Sequence, residues 1–222
     1  MKSKASQIPV LLLAVTVTTL LFTQCYTKKY YTDFKNAKKT VNTLVLLSPY
    51  VSVEFLKNKE IIKDDELETK LRKEIFSYSS YVFIQKYQLT NLILSYDTIN
   101  MNDLSTLFSI LDNSDKNAKL PIPPFIQNLF QKDSNRYFVM VFYKGFYNAH
   151  FQPNFRIQQA MMWNKIFINS NFNSSDMRVL VFDNKNKIIV YYGKKYSKNI
   201  DPRVFSSIEQ MTYSVLRPLY LK

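Results

Sequence analysis

The sequence is poor in the residues that most enzymes build their chemistry on. It holds one cysteine, one histidine, two glycines and one tryptophan in 222 residues. A lone cysteine, Cys25, excludes internal disulfides and thiolate metal clusters. A lone histidine, His150, excludes multi-histidine zinc sites and leaves any His-dependent acid–base step to that one residue. The glycines, Gly145 and Gly193, stand far apart, so there is no P-loop and no dinucleotide fingerprint, both of which need clustered glycines to bring backbone against phosphate. These absences point away from most nucleotide, metal and redox chemistry, and no cofactor is expected.

Basic and aromatic residues are plentiful. The formal charge is +13, and 16 tyrosines and 17 phenylalanines accompany it. Such a mixture can stack bases and neutralise phosphates. Two features speak against a nucleic-acid partner. Richness in Lys, Asn, Tyr, Phe and Ile is what a coding bias toward A and T produces, and the amino terminus directs the chain away from nucleic acid.

That terminus has three parts. Lys2 and Lys4 carry positive charge, and no acid occurs before Asp33. An apolar run follows from Ile8 to Phe22. It matches the short hydrophobic region of a secretory signal and falls below the roughly 18–20 apolar residues that span a bilayer. Pro9, Thr16, Thr18 and Thr19 further weaken it as a permanent membrane helix. The run ends at Leu21-Phe22-Thr23-Gln24-Cys25. This segment resembles a bacterial lipobox, with Gln24 where Gly, Ala or Ser is usual. The resemblance implies a signal peptide over residues 1–24 and cleavage before Cys25. It also implies diacylglycerol and palmitate-type chains on that thiol, and anchoring at the cell envelope, at the outer rather than the inner membrane. Each buried acyl methylene contributes about 0.8 kcal/mol, so a multiply acylated cysteine is a stable anchor.

Residues 25–40, rich in Lys and Tyr with little periodicity, read as a tether whose lysines could rest on anionic headgroups. Residues 41–222 are long enough for one domain with a real core, and 46% hydrophobic content can fill it. Val41 to Leu47 suits a buried strand, and Val51, Val53 and Phe55 alternate as a second. Asp64, Asp65, Glu66 and Glu68 suit the positive end of a helix whose apolar face is Leu67, Leu71, Ile75 and Tyr78. Tyr81–Ile84 reads as a strand. Leu89–Tyr96 and Leu104–Leu111 read as helices, and Phe125–Gln131 as a short one after a Pro-rich loop. Arg136–Tyr147 is a long central strand. Met177–Phe182 and Ile188–Tyr192 flank the turn residues 183–187 as a hairpin. Asp201 caps and Pro202 begins a last helix with the stripe Val204, Ile208, Met211, Val215, which Pro218 stops.

The expected class is α+β: a mixed sheet with helices packed on it and a C-terminal strand–hairpin–helix unit. This order of elements resembles the N-terminal domain of the Tol-system protein TolB and the curli-secretion lipoprotein. The stretches Arg136-Tyr137-Phe138, Gly145-Phe146, Val181–Tyr192 and Asp201-Pro202 look like uncharacterised envelope lipoproteins with that core. The resemblance implies a non-enzymatic envelope protein and transfers no site residues.

Candidate sites are few. No catalytic, cofactor-binding or metal site is assigned. Phe155–Ile168 concentrates Phe155, Met161, Met162, Trp163, Ile166 and Phe167 between two strands, a composition suited to an adaptable contact surface. Covering the sheet would use the same residues. Asp64-Asp65-Glu66 is better explained by helix capping than by a cation. Ser77–Ser80 and Ser206-Ser207 lack a nucleophile-elbow glycine. The leading expectation is a lipid-anchored module that binds another envelope protein. The alternatives are a small envelope hydrolase using His150 with Asp176 or Asp183, and an oligomeric secretion component.

Overall fold

The computed structural model describes residues 25–31, 34–93, 99–115, 118–130, 133–149, 173–198 and 200–220. In chain order the elements are β1 (Cys25–Tyr30), α1 (Phe34–Ala37), β2 (Thr43–Leu47), β3 (Tyr50–Lys57), β4 (Glu60–Lys63), α2 (Asp65–Ile84) and β5 (Gln88–Leu92). Then follow α3 (Met101–Asn113), β6 (Leu120–Pro121), α4 (Pro124–Gln127) with a 3-10 turn (Asn128–Phe130), β7 (Tyr137–Asn148), β8 (Asn173–Asp183), β9 (Ile188–Ser197) and α5 (Phe205–Tyr220).

Among the described residues, nine strands join one mixed sheet: six follow the order β1-β9-β8-β7-β2-β5, and β3, β4 and β6 join it off that path, β6 against β9. Strand β3 runs on beyond Pro49 parallel to β7 and carries β4 as a hairpin partner. That hairpin turns on Asn58 and Lys59, both at positive φ (51° and 70°), the backbone a two-residue turn needs to match strand twist. Strands β7 to β9 form the antiparallel centre, and β2 lies parallel to both β5 and β7.

The apolar alternation of β7 now has its cause: both faces of the centre are covered. On one face, Leu71, Ile75 and Phe83 of α2 and Met211, Val215 and Leu216 of α5 pack with Val139, Val141, Val179, Val181 and Tyr191. On the other, Leu104, Leu107 and Leu111 of α3 and Ile126 of α4 pack with Phe138, Met140, Phe142, Leu180, Phe182 and Tyr192. The protein is α+β as expected.

Several local expectations are corrected. Residues 25–30 are the edge strand β1, paired antiparallel to β9, and are not a free tether. Tyr31 is fully buried and Phe34 sits in the core, tilted against Tyr137 at 5.6 Å. Tyr81–Ile84 closes α2 because the stripe Leu71, Ile75, Ser79, Val82 and Phe83 stays buried through it. Leu89 lies in a strand, since parallel pairing with Leu44 holds the chain extended. The last helix starts at Phe205. Asp201 organises the turn before it, accepting from the Arg203 amide and guanidinium at 2.9 Å each. Val204 is exposed, so the buried stripe begins at Ile208. Pro218 lies inside α5, in its last turn, and the helix continues through it to Tyr220 instead of stopping there.

Candidate functional site

A groove runs beside α3, between the helix and the sheet. Two cross-strand rows run under it, contributing Tyr50, Phe142 and Arg178, and Ser52, Lys144 and Asp176, to its lining. Tyr50, Phe142, Arg178 and Lys194 are successive register partners beneath the helix. Two residues further along each strand, Ser52, Lys144, Asp176 and Tyr196 form the outer row, and the backbone of Cys25 is the next partner after Tyr196. The cavity measures about 540 Å³, with Met101, Leu104, Phe108 and Asp112 on the helix side. Such a volume lies within the range of small-molecule sites.

Aromatic side chains give the wall its form. Phe108 meets Phe142 edge-on with centroids 5.1 Å apart, Tyr50 tilts against Phe142 at 6.2 Å, and the Tyr50 hydroxyl donates to Met101 Sδ at 2.7 Å. The Arg178 guanidinium stacks on Phe108 at 4.3 Å from its centroid, a cation–π contact strengthened by burial.

Arg178 is the hub of an ionic network. It pairs with Asp176 Oδ2 at 2.7 Å and Asp112 Oδ2 at 3.5 Å, and donates to the Tyr192 hydroxyl at 3.2 Å. Asp112 also accepts from Tyr192 at 2.6 Å and Lys194 at 2.7 Å. Burial alone would raise the Asp112 carboxyl, but the hydrogen bonds from Lys194 and Tyr192 and the charges of Arg178 and Lys194 outweigh it and hold the group below its ordinary value. Burial would lower Arg178, yet Asp176 raises it. Burial, joined by the bond to Asp112, pushes the Tyr192 hydroxyl up against the pull of Arg178. These shifts favour the charged forms of Asp112 and Arg178 and the neutral form of Tyr192. Asp176 Oδ1 is buried without a hydrogen-bond partner among the described residues.

The carboxylates that sequence reasoning offered as acids are engaged. Asp176 is held by Arg178. Asp183 binds Arg136 through both oxygens and accepts from the amides of Lys185 and Asn186, so it builds the β8–β9 turn. Asp64 caps α2 by accepting from the Leu67 amide at 3.0 Å, and its other oxygen accepts from the Tyr147 hydroxyl at 2.6 Å. Among the described residues, no three His, Cys, Asp or Glu side chains could share a metal ion. His150 lies outside the described residues, as do Phe155, Met161, Met162, Trp163, Ile166 and Phe167. Cys25 is the first described residue and begins β1.

Sequence reasoning missed the groove because its parts are scattered from Tyr50 to Arg178. One signal was there to find: Ser174, Asp176 and Arg178 put polar groups on one face of β8, just ahead of the apolar run Val179–Phe182.

No protein-family model matches the chain, and no curated protein matches it. Among solved structures, the chain is similar to the PelC dodecamer from Paraburkholderia phytofirmans at 7% identity and a TM-score of 0.43, over 89% of this chain and 98% of that one. It is also similar to lipoprotein GNA1162 from Neisseria meningitidis at 10% identity and a TM-score of 0.34, over 79% of this chain and 98% of that one. Neither likeness assigns a function to this chain.

Proposed function

We propose that the chain is an exported lipoprotein of a bacterial envelope, acylated on Cys25 and acting by binding rather than by catalysis. The observation that carries this reading is the position of Cys25. The apolar leader ends where the sheet begins: Cys25 already has a register partner, Tyr196, and Tyr31 after it is fully buried. A cut before Cys25 would therefore leave the described edge strand whole, with the acylated residue at its start. No helix among the described residues is long and apolar enough to cross a membrane, so the anchor would be the lipid. We place it in the outer membrane.

Binding is favoured over hydrolysis because Asp176 and Asp183 are committed to Arg178 and Arg136. The partner is an envelope component, and Phe155, Met161, Met162, Trp163, Ile166 and Phe167 remain proposed as a contact surface for it. The test is Cys25→Ala followed by cell fractionation. The parent protein should sediment with membranes at its processed size, whereas the variant should keep residues 1–24 and run as a precursor. Normal processing of the variant would contradict the reading.

A further inference from the structure

Helices α2 and α5 bury one face against the sheet, and the face they turn outward is also rich in apolar side chains. Tyr81 and Ile84 on α2 and Val204, Phe205 and Tyr213 on α5 are each at least 40% exposed. Tyr78, Tyr81 and Phe205 line a groove between the two helices. Tyr220 meets Tyr213 edge-on, with ring centroids 5.7 Å apart. Aromatic residues are enriched at protein interfaces, and gathered apolar surface of this kind marks an interaction site.

Charge identifies the occupant. The solvent-facing ridge of α5 reads Glu209, Tyr213, Arg217, at i, i+4 and i+8, and all three are exposed. Neither Glu209 nor Arg217 has an ion-pair partner among the described residues. At about 1.5 Å of rise per residue, each charge stands about 6 Å from Tyr213 along the helix, on opposite sides. Such a ridge is complementary to itself run backwards. Laid antiparallel on a second copy, with a twofold axis at Tyr213, each Glu209 meets Arg217 of the other copy. The row is of the i±4 kind that interdigitates in the commonest class of helix packing. The helix dipole accounts for an acid early and a base late in α5. It does not call for an exposed tyrosine midway between them, or for the exposed apolar residues beside it.

We propose that the outer face of α2 and α5 is a homodimer interface, with α5 packed antiparallel on α5 of a second copy and Glu209 of each paired with Arg217 of the other. A contact of this isologous type closes at two copies. A second copy is favoured over an unrelated partner because both halves of the charge pair already stand on the face, spaced evenly about its central tyrosine. The proposal is independent of acylation at Cys25.

The test uses the full chain carrying Tyr213→Cys, extracted in dodecyl maltoside and treated with a short bismaleimide. Mass spectrometry of the digest should find two copies of the peptide that contains residue 213 joined to each other, which separates this product from any formed at Cys25. Adding Glu209→Arg or Arg217→Glu should each cut the product at least fivefold. The two together should restore it, because the exchanged charges pair again. Light scattering of the parent chain in the same detergent should give the mass of two copies, and thermal melts check that every variant folds. A monomeric parent, a product no more abundant than that from Ile110→Cys, which is exposed on α3, or a charge exchange that fails to restore cross-linking overturns the proposal.

Discussion

At the scale of single residues, lysines do work that composition hides. Lys29 is nearly buried, and its ammonium donates to the carbonyls of Leu111, Asp112 and Ser114 at 2.7, 2.7 and 2.8 Å, which caps the C-terminus of α3. Lys38 and Lys86 do the same for α5, on the carbonyls of Pro218 and Leu219. Lys29→Ala should therefore cost about 1.5–3 kcal/mol in denaturant unfolding, the range for hydrogen bonds to a charged group. Lys28→Ala, at an exposed position on the same strand, should cost little. Gly145 is a close-approach site: a Cβ there would meet Pro202 Cγ at 2.8 Å, so Gly145→Ala should lower the melting temperature by displacing the turn before α5. Asp112 predicts a pH effect. Its folded value lies below the ordinary 3.8, so its contribution is full above that pH and is lost as pH falls through the lower folded value. The stability gap between the parent and Asp112→Asn should be widest near neutrality and close below about pH 4; a gap that widens in acid would contradict the network.

At the scale of elements, legibility followed locality. The β8–β9 hairpin, β7 and the body of α5 announce themselves through alternation, turn chemistry and helical spacing within single segments. Strand β5 does not, because what holds Leu89 extended is a parallel partner, Leu44, far away in the chain. Strand β1 was hidden for a different reason. Its lysines and tyrosines read as solvated tether, yet Lys29 buries its stem and Tyr30 stacks obliquely on Tyr191 at 4.9 Å. The groove needed both kinds of knowledge, since its residues meet only once the rows are in register. The stripe of α5 gives the prediction proper to this scale. Ile208→Ala and Val215→Ala, both buried, should each destabilise by about 2–4 kcal/mol. Ser206→Ala, exposed and off the stripe, should leave the thermal melt nearly unchanged.

At the scale of the whole molecule, the account joins an address to a fold. The single cysteine, three residues after the apolar run ends at Phe22, is also the first residue of the sheet's edge. Strand β1 then ties that residue to the antiparallel centre through β9, so an acylated Cys25 would fix the sheet close to the bilayer instead of hanging it on a flexible stalk. The direct measurement is the mass of the N-terminal peptide of the mature protein from cells. The account predicts that it begins at Cys25 and carries a diacylglyceryl group on the thiol. A peptide beginning elsewhere, or beginning at an unmodified Cys25, would contradict it.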